Sequence, residues 1–426
     1  MNTSGTDIII IVTYFLLLFL SIFWLLVLFS SSGRDSLKEK GRKKKLDHFP
    51  FFTTIIPAYN EEHSIVETIQ SVVHLDYPKE KMEVIIVNDG STDRTQEVVE
   101  QYIREIHSDV KITLINQENQ GKGKAMNRAL FQAKGEYFAC LDADSSVHAN
   151  ALQEMLPYFA DQEVAAVCPL LKVKKPKNLL QKVQWYEYVI NMFYKHLNAK
   201  IDCVHVTPGP FSIYRTKIIQ DLGGYDEHNI TEDLEIAIRL QKHQYKIIQT
   251  FDAIVETTAP ETWKELFNQR IRWYKGSVEN SIAYRNLIFN KKYGDFGFIR
   301  MPTIIASGII AVVLLAVLGE QLIMKLLNLF TTLKAINFDV ITLLKNYSFH
   351  FNLLSMPFFK FAIAVTLVGI SFFVMIYSFK IVQEKITNHG KTWLSVITYL
   401  SIYSLFISIV WVQIAILFIR KKKNTW

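Results

Sequence analysis

Apolar positions follow two different patterns along this chain. Residues 8–29, IIIIVTYFLLLFLSIFWLLVLF, form one uncharged run, long enough to cross a hydrocarbon core of about 30 Å. Three further runs follow Arg300, at roughly 302–323, 358–382 and 393–419; their lengths favour membrane spans over core helices. Between Pro50 and about Trp273 the apolar residues come in short blocks. FFTTIIP, MEVIIVND, VKITLINQ and EYFACLDAD predict strands. EEHSIVETIQSVVHL, DRTQEVVEQYIREI and GKGKAMNRALFQAK predict amphipathic helices between them. This alternation predicts an α/β fold with a parallel sheet covered on both faces. Such sheets bind ligands at the carboxyl ends of their strands, and there the polar clusters AYNEE, NDGSTD and DAD fall.

Composition and charge sharpen this picture. Half the chain is hydrophobic, high for a soluble enzyme. The first run is too long for the apolar part of a signal peptide and lacks a clear small-residue cleavage site, so it predicts a retained anchor. A basic GRKKK stretch follows at 41–45, whereas the first seven residues carry one Asp and no Lys or Arg. The positive-inside rule then puts the N-terminus outside and the following domain in the cytoplasm. Much of the +7 net charge lies beside apolar runs, at 43–45 and 420–423. There it suits anionic lipid headgroups better than nucleic acid. The three cysteines have no metal-ligand spacing and predict packed, reduced thiols.

Each polar cluster has a plain reading and a chemical one. In NDGSTDRT, Ser91 or Asp93 can simply cap the next helix; the alternative is a nucleotide pocket in which Asp89 accepts from a base or ribose. GKGKAMNRAL lacks the full P-loop spacing, but Lys122 or Lys124 at a helix start can meet a diphosphate with help from the first amides. Asp142 and Asp144 are either a solvated strand end or hard oxygen ligands. As ligands they suit Mg²⁺ or Mn²⁺, with substrate phosphates completing the shell. In ITEDLEIAIRL the acids complement the helix dipole, and Asp233 gains a chemical role only if the fold brings it to the DAD pair. In FNQRIRWYKG, helical spacing puts Gln269, Arg272 and Trp273 on one face, a guanidinium for a diphosphate beside an indole for a sugar ring.

Taken together, NDGS, DAD, TED and QRIRW resemble, in order and rough spacing, the processive family-2 glycosyltransferases. These are the membrane synthases of cellulose, chitin, hyaluronan and poly-N-acetylglucosamine. The resemblance covers about residues 53–276 and is closest to the poly-N-acetylglucosamine and hyaluronan synthases. VTPGPFSIYR, with Gly209, resembles the glycine-containing segment those enzymes place beside the acceptor. The family implies a GT-A fold with transmembrane helices and an inverting transfer from a UDP-sugar, UDP-N-acetylglucosamine first, to a growing polysaccharide. It implies Tyr59, Glu61 and Asp89 on the uridine, Lys124 on the diphosphate, and Asp142 on nucleotide and metal. Asp144 is then the main ligand of Mg²⁺ or Mn²⁺, and Asp233 the general base. Gln269, Arg272 and Trp273, with Gly209, bind diphosphate and acceptor.

The expected organisation is an anchor over residues 1–30, a basic linker over 31–50 and a catalytic domain over 51–276. An interfacial amphipathic segment over 277–300 and a C-terminal membrane region over 301–426 follow. The expected partners are the UDP-sugar, the polysaccharide and membrane lipids, with room for an accessory membrane subunit and no nucleic acid. The expected place is the cell membrane, multi-pass, with the catalytic domain cytoplasmic. One run precedes the domain where several family members have two. Three runs after it put the basic 420–423 outside, against the positive-inside rule, unless 302–323 is interfacial or a weak segment near 326–354 crosses. Two other classes share parts of this pattern: a non-processive transferase loading one sugar onto a lipid phosphate, and a non-catalytic nucleotide-sugar binder. QRIRW and the three C-terminal runs favour the processive class, and the full set of carboxylates speaks against a mere binder.

Overall fold

A computed structural model describes residues 5–30, 48–106, 108–341, 358–390 and 392–420. The basic stretch at 41–45, residues 421–423 and part of the weak segment near 326–354 lie outside the described residues. The first apolar run is helix α1 (Gly5–Phe29).

The domain after it begins with strand β1 (Phe52–Ala58), helix α2 (Ile65–Val73), strand β2 (Met82–Asp89), helix α3 (Thr95–Glu105), strand β3 (Lys111–Gln117), helix α4 (Lys122–Leu130) and strand β4 (Tyr137–Cys140). β1, β2 and β4 are buried along nearly their whole lengths, as a sheet covered on both faces requires. The four strands are parallel in the order β3-β2-β1-β4. Ile55, Val87, Ala129, Phe138 and Ile236 share one core cluster beneath them.

The second half of the sheet departs from the all-parallel expectation. Strand β5 (Ser145–Val147), helix α5 (Ala151–Met155), strand β6 (Val164–Val173), helix α6 (Leu179–Lys200), strand β7 (Ile213–Arg215), helix α7 (Thr216–Asp221), helix α8 (Glu232–Lys242) and strand β8 (Lys246–Thr257) follow. The order continues β4-β7-β6-β8-β5. β7 runs antiparallel to both its neighbours and β5 antiparallel to β8. These two strands are three residues long, too short to carry a periodic pattern. The sheet is therefore mixed, with its parallel half at the N-terminal side.

Helix α9 (Trp263–Ala283) carries QRIRW and runs straight past residue 276. The segment after it turns inward: Leu287, Phe296 and Met301 are buried with Cys203, Leu234 and Ile238. One compact unit comprises Ser30–Ile305 and Ser378–Tyr403, so a piece from late in the chain joins the unit that holds the sheet. Helices α10 (Met301–Ala335), α11 (Phe358–Ile381), α12 (Thr392–Thr398) and α13 (Ser404–Ile419) complete the chain, with a π-turn at Tyr399–Tyr403 between the last two. Among the described residues four stretches are long and apolar enough to cross a membrane: Ile8–Phe29, Phe296–Ala335, Phe361–Ile381 and Leu394–Ile419. The other unit comprises Met1–Phe29, Ala306–Tyr377 and Ser404–Trp426.

Candidate active site

The loops that leave β1 and β2 are laced into one surface. The Asn60 amide donates to Ser91 Oγ (3.0 Å) and the Thr92 amide to Asn60 Oδ1 (2.8 Å). The Glu61 amide donates to Thr95 Oγ1 (2.8 Å). Tyr59 stands exposed on this surface. Glu61 accepts from the Ser64 hydroxyl. Burial raises the pKa of Glu61, against the pull of Ser64, and the Asp142 charge adds to the rise.

Asp89 closes the next loop. Its buried carboxylate accepts from Gln117 Nε2 (2.7 Å) and from the amides of Gln120 and Gly121 (both 2.9 Å). Of a carboxylate's roughly four acceptor positions, one is left for a ligand. The chain then enters α4 at Lys122, whose ammonium reaches Asp142 Oδ1 at 2.7 Å and Glu232 Oε1 at 2.9 Å. Burial works against this charge, yet the two carboxylates more than offset it and hold its pKa well above the usual lysine value. Lys124, the lysine expected at the diphosphate, lies two residues further along α4 and is partly buried.

Lys122 thereby joins the DAD turn to the TED helix, and the segment around Gly209 reinforces the join. A Cβ on Gly209 would lie 3.2 Å from Asp142 Oδ2 and 3.3 Å from Lys122 Nζ. Thr207 donates to the Asp233 carbonyl through its amide (3.2 Å) and hydroxyl (2.9 Å). Asp144 accepts from Ser145 Oγ (3.0 Å). Its own burial and then the Asp142 charge push its carboxyl up to about 6. Asp233 is also pushed up to about 6, by burial and then by Glu232, while Lys122 and Arg272 pull it the other way.

Helix α9 is docked on the same turn. Gly276 packs against Thr231, and Asn280 Nδ2 donates to Thr231 Oγ1 (3.1 Å) and Asn229 Oδ1 (3.2 Å). This brings Arg272 within electrostatic reach of Asp233. Gln269 accepts from Arg270. Trp273 is partly buried, with the Arg270 guanidinium 4.2 Å from its ring centroid.

Asp142 and Glu232 therefore meet around one lysine, whose charge is also felt by Asp233, with Asp144, Gly209 and Arg272 close by. Glu61 joins them through its charge, and Asp89 shapes the loop that presents Lys122. The sequence offers Lys122 or Lys124 for a diphosphate and the resemblance implies Lys124. The structure pairs Lys122 with Asp142 and Glu232, and its place at the first turn of the helix after β3, on the sheet's carboxyl edge, is the signal the sequence carries for it. Sequence patterns do not distinguish Glu232 or Arg270, since acids suit any helix start and arginines any amphipathic helix. Among the described residues no three His, Cys, Asp or Glu side chains form a ready metal cage. Two carboxylates one residue apart fit a hard divalent ion whose remaining positions are filled by phosphate oxygens and water.

Residues 53–223 match the family model described as Glycosyl transferase family 2. The poly-beta-1,6-N-acetyl-D-glucosamine synthase of Staphylococcus aureus (strain COL) is 32% identical over 267 residues, 61% of this chain and 63% of that protein. Its namesake from Staphylococcus epidermidis (strain ATCC 35984) is 29% identical over 270 residues, 62% of this chain and 64% of that one. The chain thus spans less than two thirds of the length of these curated relatives, 63–64%. In fold it is similar to the mannosyltransferase PcManGT from Pyrobaculum calidifontis, solved with GDP-Man and Mn²⁺. The TM-score is 0.58 at 19% identity, over 97% of this chain and 100% of that one. The mixed sheet and these matches agree: the chain has a GT-A fold, and its residues 53–223 match glycosyltransferase family 2.

Proposed function

We propose that the protein is a membrane-embedded, inverting, processive glycosyltransferase that elongates a β-linked polysaccharide from a UDP-sugar, with UDP-N-acetylglucosamine the first candidate. The observation that carries this reading is the Lys122 bridge between Asp142 and Glu232, which brings the donor-side carboxylates and the TED helix to one site. The 32% identity to a poly-N-acetylglucosamine synthase supports the choice of sugar.

Asp142 and Asp144 would hold Mg²⁺ or Mn²⁺, which when bound supplies positive charge to the leaving diphosphate. Tyr59, Glu61 and Asp89 take the uridine, Asp89 through its remaining acceptor position. Lys122, with Lys124 beside it, and Arg272 stabilise negative charge on the diphosphate. Asp233 accepts the proton of the acceptor hydroxyl as that oxygen attacks the anomeric carbon opposite UDP; one face of attack inverts the centre. A carboxyl raised to about 6 remains mostly ionised at neutral pH and is a stronger base than an ordinary aspartate. Gln269 and Trp273, together with Gly209, receive the acceptor end.

The membrane arrangement in this reading is supported by connectivity. Lys172 pairs with Glu384 at 2.8 Å, and the Trp185 ring lies 4.7 Å from that of His389. The segment between α11 and α12 therefore packs on the catalytic domain, which supports an even number of crossings between the two. Four spans satisfy this, with the N-terminus outside, the domain cytoplasmic and α13 leading outward again. Lipid, or an accessory membrane subunit, covers the apolar helices.

The test is the purified membrane protein with a panel of UDP-sugars and Mg²⁺ or Mn²⁺, reading UDP release and product size. Long polymer from one UDP-sugar is expected. A single sugar added to a lipid phosphate defeats the processive reading, and no metal-dependent UDP release from any UDP-sugar defeats the enzymatic one.

A further inference from the structure

Arg270 is fully buried and is the largest side chain so enclosed among the described residues. A buried guanidinium is unfavourable unless it is well paired, and here the partners come from two other parts of the fold. Glu187 on α6, itself buried, forms an ion pair with Arg270. Tyr403, at the end of the π-turn, accepts from Arg270 Nε at 3.1 Å and donates its own hydroxyl to Glu187 Oε2 at 2.6 Å. π-turns often accompany functional sites because they re-aim a side chain within a helix. Buried pairs of this kind add little net stability compared with apolar packing. What they fix is direction, and in this case the plane of the guanidinium.

That plane lies over Trp273, three residues along α9, at 4.2 Å from the ring centroid. The contact is a cation–π stack that a planar guanidinium makes and an ammonium reproduces poorly. One indole face is thereby occupied, so a sugar stacking on Trp273 must use the other. Resting on the acceptor role proposed above for Trp273, we infer that Arg270, held by Glu187 and Tyr403, is a positioning residue that fixes the Trp273 indole with one face turned to the acceptor sugar, and so sets how long the growing chain stays bound.

Arg270→Lys tests this, because it retains a positive charge for Glu187 and removes the plane. The expected result is a folded protein with unchanged UDP affinity, a KM for a short acceptor oligosaccharide raised roughly tenfold, the scale of a desolvated cation–π contact, and shorter product. Folded Arg270→Lys with normal product length and acceptor KM overturns the inference. Should that variant fail to fold, the paired Glu187→Gln/Arg270→Met variant, which leaves no unpaired charge, is judged by the same measurements. Failure of both to fold assigns Arg270 to stability alone and also overturns the inference. Trp273→Ala, assayed alongside, separates the two levels: normal polymer from it refutes the acceptor role of Trp273, whereas short polymer from it with normal polymer from the Arg270 variants refutes only the positioning role.

Discussion

Gly276 lies so close to Thr231 that a Cβ on the glycine would fall 2.2 Å from the threonine hydroxyl. The helix bearing Gln269, Arg272 and Trp273 is thus seated on the turn that launches Asp233. Gly276→Ala forces the two apart. Overpacking of this kind costs about 1–3 kcal/mol. Polymer synthesis should fall sharply and UDP binding by much less, because the uridine-side loops after β1 and β2 are untouched and only the Arg272 contact shifts. Calorimetric binding of UDP beside a synthesis assay checks this; equal loss of both would place the damage elsewhere.

Asp144→Asn preserves shape and removes a ligand charge. Transfer should collapse, and titrated Mn²⁺ should bind the variant more weakly. Chelation of the wild-type protein should give the same loss, reversed by adding the ion back. Near-normal synthesis by the variant with Mg²⁺ or Mn²⁺ supplied would remove Asp144 from the metal site.

Loss of the base at Asp233 has a different signature. Asp233→Asn should lower the rate by about 10²–10⁴-fold and leave UDP affinity nearly intact. In the wild type the rate should fall as pH drops through about 6, where Asp233 takes up its proton. The sign follows from the role, since only the carboxylate accepts the acceptor's proton. Excess metal should leave this limb in place, because a cation does not compete with a proton at Asp233. A rate that holds level well below pH 6 would contradict the assignment.

The two lysines of GKGK should separate cleanly. Lys122→Met leaves Asp142 and Glu232 without their shared cation and should weaken UDP-sugar binding strongly. The stability cost should be on the order of 1–2 kcal/mol, less than for a fully buried pair because Lys122 and Asp142 keep contact with solvent. Lys124→Met should do markedly less to either quantity. Donor KM and thermal midpoints for both variants decide the matter, and the reverse ranking would return the diphosphate contact to Lys124.

Much of the fold was legible because its signals are local. Strands β1 to β4 each end where a polar turn begins, and the intervening helices carry a clear apolar stripe. The four long runs needed only length and hydropathy. The antiparallel strands β5 and β7 were not legible, since three residues have no period. The site divides in the same way. DAD and TED can be recognised from spacing, but nothing local says that Lys122 spans from one to the other, because that contact depends on how α4 and α8 pack into one core cluster. Arg270 is the extreme case. An arginine in an amphipathic helix reads as solvated, and only tertiary partners more than 80 residues away in sequence, Glu187 among them, make it an interior residue.

The segment Ser378–Tyr403 belongs to the same compact unit as the sheet, and this has a consequence for biosynthesis. Phe379 stacks edge-on against Trp185 at 5.3 Å, and Tyr403 completes the bonding of Arg270. A ribosome that has finished β8 and α9 has therefore made every proposed site residue but not the whole domain. Until α10 and α11 have been made and the segment after them has docked, Trp185 lacks one apolar neighbour and the buried arginine lacks one partner. On the membrane arrangement proposed above, insertion of these helices comes before completion of this unit, and a fragment cut after Ile305 would stop short of its last folding step.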